Sequence, residues 1–258
     1  MNENLWIFIL ECAERYFAED LKPYENRNLR NNWWEAFDFF LGRACYQGRR
    51  DSVSEEVNKR VRQVLIPFFE NSNRDKEYET LRQEEWKPLE NQLREKIGKG
   101  KIGKARDIEM ILSALYRIDS YPCRNIVNYS IQKIENGLVL EHYRELQDKQ
   151  SANGIVQVGP KIASFYLRDI VSLFKLGNSV DSDSAFCLQP IDVWVRRIAK
   201  KLQIVNNEAD DRTIQEAIVK KCEESNVSSF RFNQGVWYAG SYSLHLLLEF
   251  ASKHSLRG

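Results

Sequence analysis

The chain has 258 residues, which is enough for one large domain or two small lobes. Its formal net charge is only +1, so any contact with nucleic acid has to come from local basic patches or backbone amides. The five cysteines are scattered without a CxxC pair, which argues against a zinc site or an iron–sulfur cluster. Because their number is odd and no signal peptide is evident, we expect an intracellular setting, in the cytoplasm or nucleoid.

Apolar residues at helical spacing predict a helix over 3–19 and a stronger one over 33–47. The apolar run within the first helix is too short to span a membrane, so we expect no membrane partner. Ser52 and Glu55 form a capping-box pattern that would open the next helix. Residues 47–50 therefore lie at a predicted helix–helix junction, where polar side chains either face a ligand or form a solvated turn.

Residues 67–93 are charged with little periodicity, and we interpret them as an insertion or an irregular helical excursion. The segment 94–106 is basic and punctuated by glycines. Such a loop before a helix is able to approach phosphates closely, although it is also typical of a solvated loop. Its candidate phosphate ligands are Lys99, Lys101 and Lys104.

The second half of the chain continues the helical pattern. Helices are predicted over about 108–118, 124–135, 138–150, 162–174 and 234–252. Two more are predicted to begin near residue 192 and at a capping box formed by Thr213 and Glu216. Residues 177–189 are predicted to form a loop. Strand signals are nearly absent, so the sequence predicts an all-α protein.

The turn at 153–161 separates two of these helices. Gly154 and Gly159 flank it, and Pro160 suits the first position of the helix that follows. The unbonded amides at this helix start are able to receive a DNA phosphate without a positive side chain. The alternative is a simple corner between helices.

Lys161 and Asp192 each lie at the start of a predicted helix. A cation is disfavoured at that end by the helix dipole, so Lys161 is a candidate neutral amine that attacks an electrophilic carbon. Asp192 follows Pro190-Ile191 and suits an N-cap. Its carboxylate is a candidate for stabilising a developing oxocarbenium ion. The simpler interpretations are that Lys161 is an ordinary exposed lysine and that Asp192 is only a structural cap.

At these residues the chain resembles the helix–hairpin–helix DNA glycosylase superfamily, through the hairpin VGPKIA at 158–163 and the Pro-Ile-Asp at 190–192. The segment 161–169 and the separation of 31 positions between Lys161 and Asp192 are most similar to the archaeal-type 8-oxoguanine glycosylases. Looser matches are the helix ending at Gln47, the Gly-to-Lys-Ala step at 98–105 and the FNQGVW segment at 232–237.

The chain departs from the family pattern at two positions. Gln157 stands where the hairpin usually begins with a glycine, and Trp194 stands where a histidine frequently follows the aspartate. These departures concern the exact lesion more than the reaction.

The resemblance implies two helical lobes with an active-site cleft between them: a middle lobe at about 54–150, and a second lobe built from the N-terminal helices and about 175–258. It implies a bifunctional DNA glycosylase and AP lyase that excises 8-oxoguanine through a Schiff base on Lys161 and β-elimination, in base excision repair, as a monomer on double-stranded DNA. Asp192 would stabilise the transition state. The resemblance implies that the backbone amides of Gln157, Gly159 and Lys161 bind a DNA phosphate. It implies a pocket for the damaged base lined by Gln47, Trp194, Phe232 and Trp237. It also implies that a K⁺ or Na⁺ ion binds the carbonyls of Asn153, Ile155 and Val158, with no other cofactor.

Two alternatives stay open from sequence. One is a glycosylase of the same fold for an alkylated, mismatched or otherwise modified base. The other is a DNA-binding module that kept the hairpin without catalysis.

Overall fold

The computed structural model describes residues 3–47, 49–69, 81–98 and 102–252. Over these ranges it has twelve α-helices, several short 3₁₀ and π turns and no β-strand, which confirms the all-α prediction. The helices are α1 Glu3–Tyr16, α2 Trp33–Ala44, α3 Asp51–Phe68, α4 Gln83–Ile97, α5 Ala105–Arg117, α6 Ile126–Glu135, α7 Val139–Gln147, α8 Pro160–Leu173, α9 Val193–Lys201, α10 Asp211–Glu224, α11 Ser229–Tyr242 and α12 Leu244–Ser252.

The chain divides into two compact units. A terminal unit combines residues 1–26 with 167–258, and a middle unit comprises residues 27–166. The division falls inside α8, after Tyr166. Helix α2 belongs to the middle unit because it packs on α6, so this unit begins well before the lobe boundary expected near residue 54.

The terminal unit is organised around α11, which packs along α1 and also contacts α9, α10 and α12. An aromatic contact between Trp6 and Phe232 joins α1 to α11, with ring centroids 5.1 Å apart. Deeper inside, the guanidinium of Arg168 pairs with Asp169, donates to Asn233 Oδ1 at 2.9 Å and to Tyr16 Oη at 2.7 Å. A buried polar network therefore links α1, the last turns of α8 and α11.

The middle unit is a set of helices packed in sequence: α2 on α6, α3 on α4, α4 on α5 and α6 on α7. Tyr166, in the part of α8 that belongs to this unit, contacts Phe40 and Phe39 with centroid separations of 5.3 and 6.1 Å. All three rings are buried, and they anchor the start of α8 to α2.

The reading of 67–93 as irregular is wrong for its second half, because α4 is a regular helix. Leu89, Leu93 and Ile97 recur every four residues and are fully buried, which is the apolar stripe of an amphipathic helix. The dense charges and the internal Pro88 hid this stripe in the sequence. Residues 70–80 lie outside the described part of the chain.

Both predicted capping boxes are wrong in register. Helix α3 begins one residue before Ser52, after Arg50 at the N-cap. Helix α10 is capped by Asp210, whose Oδ1 accepts from the amide of Thr213 at 2.7 Å, so Thr213 lies inside the first turn. Asp is at least as good an N-cap as Thr, and the earlier residue prevails.

The last predicted helix, 234–252, is two helices. Helix α11 begins earlier, at Ser229, and ends at Tyr242, and α12 follows after Ser243. The backbone at Ser243 is non-helical, with φ −142° and ψ 27°, and this break turns the chain into α12.

Across the described ranges, the model contains no helix that is both long and apolar enough to cross a membrane. None of the five cysteines forms a disulfide, and four of them are buried. Burial raises the pKa of Cys45 and of Cys222 to about 12, so neither thiol is a nucleophile at neutral pH.

Candidate active site

The connection between α7 and α8 carries the predicted hairpin, and surrounding side chains fix its backbone. Two side chains donate to its carbonyls: Tyr121 Oη to Asn153 at 3.0 Å and Arg117 Nε to Gly154 at 3.1 Å. Two of its amides donate to the middle unit: that of Val156 to Ser113 Oγ at 3.0 Å and that of Ile155 to the carbonyl of Leu146 at 3.1 Å. The hairpin is therefore held in one conformation before any ligand binds.

The carboxylate of Glu145 ties the head of the hairpin to α6 and α7. It accepts from Asn153 Nδ2 at 2.8 Å, from Tyr129 Oη at 2.8 Å and lies 3.2 Å from His142 Nδ1. Burial alone would raise the pKa of Glu145, but the hydrogen bonds from His142, Asn153 and Tyr129 lower it to about 2. Glu145 is thus a fixed anion that orients the side chain of Asn153.

His142 connects this carboxylate to Ser130, whose Oγ lies 2.9 Å from His142 Nε2. The order Ser–His–Glu matches that of a hydrolase triad. Both Ser130 and His142 have no exposed surface, however, and the carbonyl oxygen of Ile126, 2.7 Å from Ser130 Oγ, competes with His142 for the single hydroxyl proton. Burial lowers the pKa of His142, so the ring is neutral and structural. We conclude that this group is a packing network.

Gly154 is required by a close backbone approach. A Cβ added there would lie 1.7 Å from the carbonyl oxygen of Asp148, which is backbone and cannot rotate away. We expect Gly154→Ala to lower the free energy of unfolding by roughly 2–4 kcal/mol, in the range of overpacked or strained sites. Gly159→Ala is the matched control, since nothing lies within 4 Å of its Cβ position.

Urea unfolding of both variants would measure this difference. Equal stability of Gly154→Ala and Gly159→Ala would show that the hairpin does not need the close approach at Gly154.

Gln157 adopts the left-handed conformation, with φ 69°. Gln157 stands where the resembled family usually has a glycine, and its backbone has the conformation that glycine favours. A left-handed non-glycine residue costs about 1–2 kcal/mol. The side chain of Gln157 donates to Glu109 Oε2 at 2.7 Å, which offsets part of this cost.

The predicted phosphate grip lies in this turn. Within the described residues, the amides of Gln157 and Gly159 donate to no protein acceptor, and Pro160 is the first residue of α8. The amides therefore stay available to an anion at the positive end of a 14-residue helix.

Lys161 is the second residue of α8 and is half-buried. Its Nζ lies 3.5 Å from the carbonyl oxygen of Tyr46, the outer limit of a hydrogen bond, so the amine is loosely held. The ring of Tyr46 also contacts Phe165, one turn further along α8, at 5.7 Å between centroids. The structure thus brings Lys161 to the end of α2.

The end of α2 is the junction predicted around Gln47, and its side chains are mostly turned inward. Gln47 is 7% exposed and its Nε2 lies 2.8 Å from the sulfur of Met110, while its carbonyl accepts from Arg106 Nη2 at 2.6 Å. Gln47 is therefore packed against α5, and to meet a flipped base its side chain would have to leave this contact. Gly48 lies outside the described residues.

Sequence reasoning missed two functional candidates at this junction, Arg49 and Asp107. Arg49 forms an ion pair with Asp107 and its side chain is 6% exposed. Its Nε and Nη1, like Nε of Arg106, have no acceptor in the described part of the chain. The junction therefore offers more hydrogen-bond donors than acceptors. Asp107 also accepts from the amide of Lys104 at 2.6 Å. The sequence carried one local signal for it, its position three residues after the N-cap of α5.

Asp192 is the N-cap of α9, as predicted. Its Oδ1 accepts from the amide of Val195 at 2.8 Å, and the residue is half-buried. This bond fixes the carboxyl group at the start of the helix. Asp192 belongs to the terminal unit and Lys161 to the middle unit.

The three aromatic candidates for a base pocket all belong to the terminal unit and differ in exposure. Phe232 is 1% exposed and packs on Trp6, so the structure places it in the core rather than on a surface. Trp194 is half-buried, and its Cβ would lie 2.6 Å from a Cβ added to Gly240, so the ring rests on α11. Trp237 is half-buried beside Tyr16, at 5.5 Å between centroids.

The remaining predicted ligands are only partly described. Lys99 and Lys101 lie outside the described residues, whereas Lys104 is an exposed N-cap residue of α5. Of the predicted cation carbonyls, that of Asn153 accepts from Tyr121 and that of Ile155 accepts from the amide of Val158 at 3.1 Å, which leaves one lone pair on each. Among the residues that the structure describes, no three His, Cys, Asp or Glu side chains cluster as a metal site.

Comparisons of this chain with protein-family models, with curated proteins and with solved structures return no match.

Proposed function

We propose that this protein is a bifunctional DNA glycosylase and AP lyase of the helix–hairpin–helix type that excises 8-oxoguanine from double-stranded DNA. The observation that carries the proposal is the position of Lys161, half-buried in the first turn of α8 directly after a fixed hairpin with free amides. Free amides before a helix bind phosphate, and Nζ of Lys161 is only loosely held by the carbonyl of Tyr46. The combination suits an amine nucleophile held close to a DNA backbone.

In the proposed reaction, Nζ of Lys161 attacks C1′ of the damaged nucleotide and forms a C–N bond as the bond from C1′ to the base breaks. The base leaves with a proton. Opening of the sugar ring gives a Schiff base, and loss of a 2′ proton then expels the 3′ phosphate. The amides of Gln157 and Gly159 would hold a phosphate of the same strand during these steps.

Asp192 is proposed to stabilise the positive charge that develops on the sugar. Its capping bond to Val195 fixes the carboxyl group, and a fixed charge contributes to catalysis without reorganising. This assignment requires Lys161 and Asp192 to act on one deoxyribose, so we propose that the middle and terminal units correspond to the two lobes of a glycosylase.

The proposal is tested with duplexes that each carry one lesion, incubated with the protein and sodium borohydride. We expect base release, strand incision and a covalent adduct on the 8-oxoguanine duplex. If another lesion is cut and 8-oxoguanine is not, the fold-level proposal stands and the substrate is wrong. If DNA is bound but no base is released from any duplex, the protein is a non-catalytic binding module.

The role of Asp192 has a matched control in the same unit. Asp192→Asn keeps a good N-cap but removes the charge, so we expect little change in stability and a fall in the single-turnover rate of base excision by about 10²-fold or more. Asp210 caps α10 with the same geometry, at 2.7 Å from the amide of Thr213, and Asp210→Asn should leave the rate unchanged. Equal rates for both variants would reduce Asp192 to a structural cap.

A further inference from the structure

We infer that the exposed stripe Val193, Arg197 and Lys201 on α9 is a second DNA-binding surface, which contacts the strand next to the damaged nucleotide. This inference rests on the proposed function, because it takes DNA as the partner. It adds a surface of the terminal unit to the hairpin of the middle unit.

The three residues lie on one line along the helix. They recur every four positions, which is one face of an α-helix, and all three are exposed, Val193 to 64%. The opposite face of α9 is buried through Val195, Ile198 and Ala199. The helix therefore turns one apolar and two cationic side chains outward together.

The other two cations of α9 are already satisfied within the protein. Arg196 pairs with Asp211 at 2.6 Å, and Lys200 donates to the carbonyl of Asn207 at 2.6 Å. Arg197 and Lys201 lie about 100° further round the helix axis, and in the described ranges they form no ion pair. Arg196 and Lys200 therefore have partners in the segment that follows α9, whereas Arg197 and Lys201 point outward without an ion pair among the described residues.

Two like charges on one face of α9 lower the stability of the helix, and the packing of α9 does not require them. Like charges four residues apart on a helix face destabilise the helix. Lys201 lies at the C-terminal end, where a cation is favourable, but Arg197 lies in the middle of the helix and gains little from the dipole. An anionic partner explains why both cations are kept outward.

Nucleic acid fits this stripe better than a membrane does. A helix that lies on a membrane inserts a whole apolar face, whereas the apolar face of α9 packs inside the protein. The stripe also begins beside Asp192, so a strand that reaches Asp192 passes along it. At 1.5 Å per residue, Arg197 and Lys201 lie about 6 Å apart along the axis, close to two nucleotide steps of about 3.4 Å on one strand.

The test is the salt dependence of binding to a duplex that carries a non-cleavable abasic analogue. We expect the double variant Arg197→Gln/Lys201→Gln to lower the slope of log K against log salt by about 1.8, from 0.9 for each lost phosphate contact. Between 50 and 200 mM salt, its affinity should then fall about tenfold less than that of the unmodified protein. The control is Lys175→Gln/Lys220→Gln, which removes two exposed cations of the same unit and should leave the slope unchanged.

Equal slopes for the two double variants would overturn the inference. Because all four side chains are exposed, the Tm of each double variant should stay within about 2 °C of that of the unmodified protein. Failure of the proposed function is recognised separately. If the slope changes as expected but no lesion is excised, the surface stands and catalysis does not; if no duplex binds, both are overturned.

Discussion

Lys161→Gln is expected to abolish borohydride trapping of the protein on lesion-containing DNA. Glutamine has no nucleophilic amine, so no Schiff base forms, and the strand incision that depends on it is lost as well. The expected fall in single-turnover excision is at least about 10³-fold, the scale for removal of a nucleophile. Glutamine is uncharged and similar in length, and Nζ makes only a 3.5 Å contact with Tyr46, so the fold should be unaffected.

The matched control for this prediction is Lys220→Gln. Lys220 is an exposed lysine on α10, and we expect this variant to trap like the unmodified protein. Binding to the abasic-analogue duplex should persist in Lys161→Gln, because the hairpin amides come from the backbone. Undiminished trapping by Lys161→Gln would place the nucleophile on another amine and remove Lys161 from the reaction.

Features that depend on neighbours in sequence were mostly predictable. Most helices followed from apolar spacing, with α4 as the exception, and the cap at Asp192 followed from its place between Pro190-Ile191 and an amphipathic run. By contrast, the left-handed backbone of Gln157 was not predicted, because a glutamine side chain disfavours this conformation.

Features that depend on distant partners were not predictable. Arg49 meets Asp107 across 58 positions, and no local pattern selects this partner among 37 acidic residues. Arg168 meets Asn233 across 65 positions, again without a local signal. The burial of Phe232 was also not predictable, and it argues against the assignment of this residue to the base pocket. Phe232 lies in a motif-like segment, yet its ring fills the core against Trp6. An aromatic residue in a helix stripe is first a packing residue, and sequence alone does not show which face it joins.

Arg168→Met is expected to be the most destabilising substitution considered for the terminal unit. Arg168 and Asp169 are 1% and 0% exposed, so removal of the cation takes the charge of Arg168 away from a buried carboxylate, to which Tyr16 and Gln234 donate neutral hydrogen bonds. Breaking a buried pair costs about 3–5 kcal/mol, which corresponds to a fall in Tm of about 10 °C for a chain of this size. Differential scanning calorimetry measures it directly.

Arg196→Met provides the comparison, because Arg196 also pairs with an aspartate of the same unit, but with side chains 39% and 55% exposed. An exposed pair contributes about 0–1 kcal/mol, so this variant should unfold within a few degrees of the unmodified protein. Arg168→Met/Asp169→Leu should recover much of the loss, since it removes the unpaired charge. Similar Tm values for Arg168→Met and Arg196→Met would refute the buried pair.

The network around Arg168 also reaches the segment before the candidate catalytic residue Asp192, so loss of Arg168 has a second expected consequence. Asn233 accepts from Arg168 at 2.9 Å, and its own Nδ2 donates to the carbonyl of Pro190 at 3.4 Å, two residues before Asp192. Arg168→Met should therefore slow excision at temperatures where the protein is still folded, because the start of α9 is less firmly held. An unchanged excision rate below the unfolding transition would show that Asp192 is positioned by its capping bond alone.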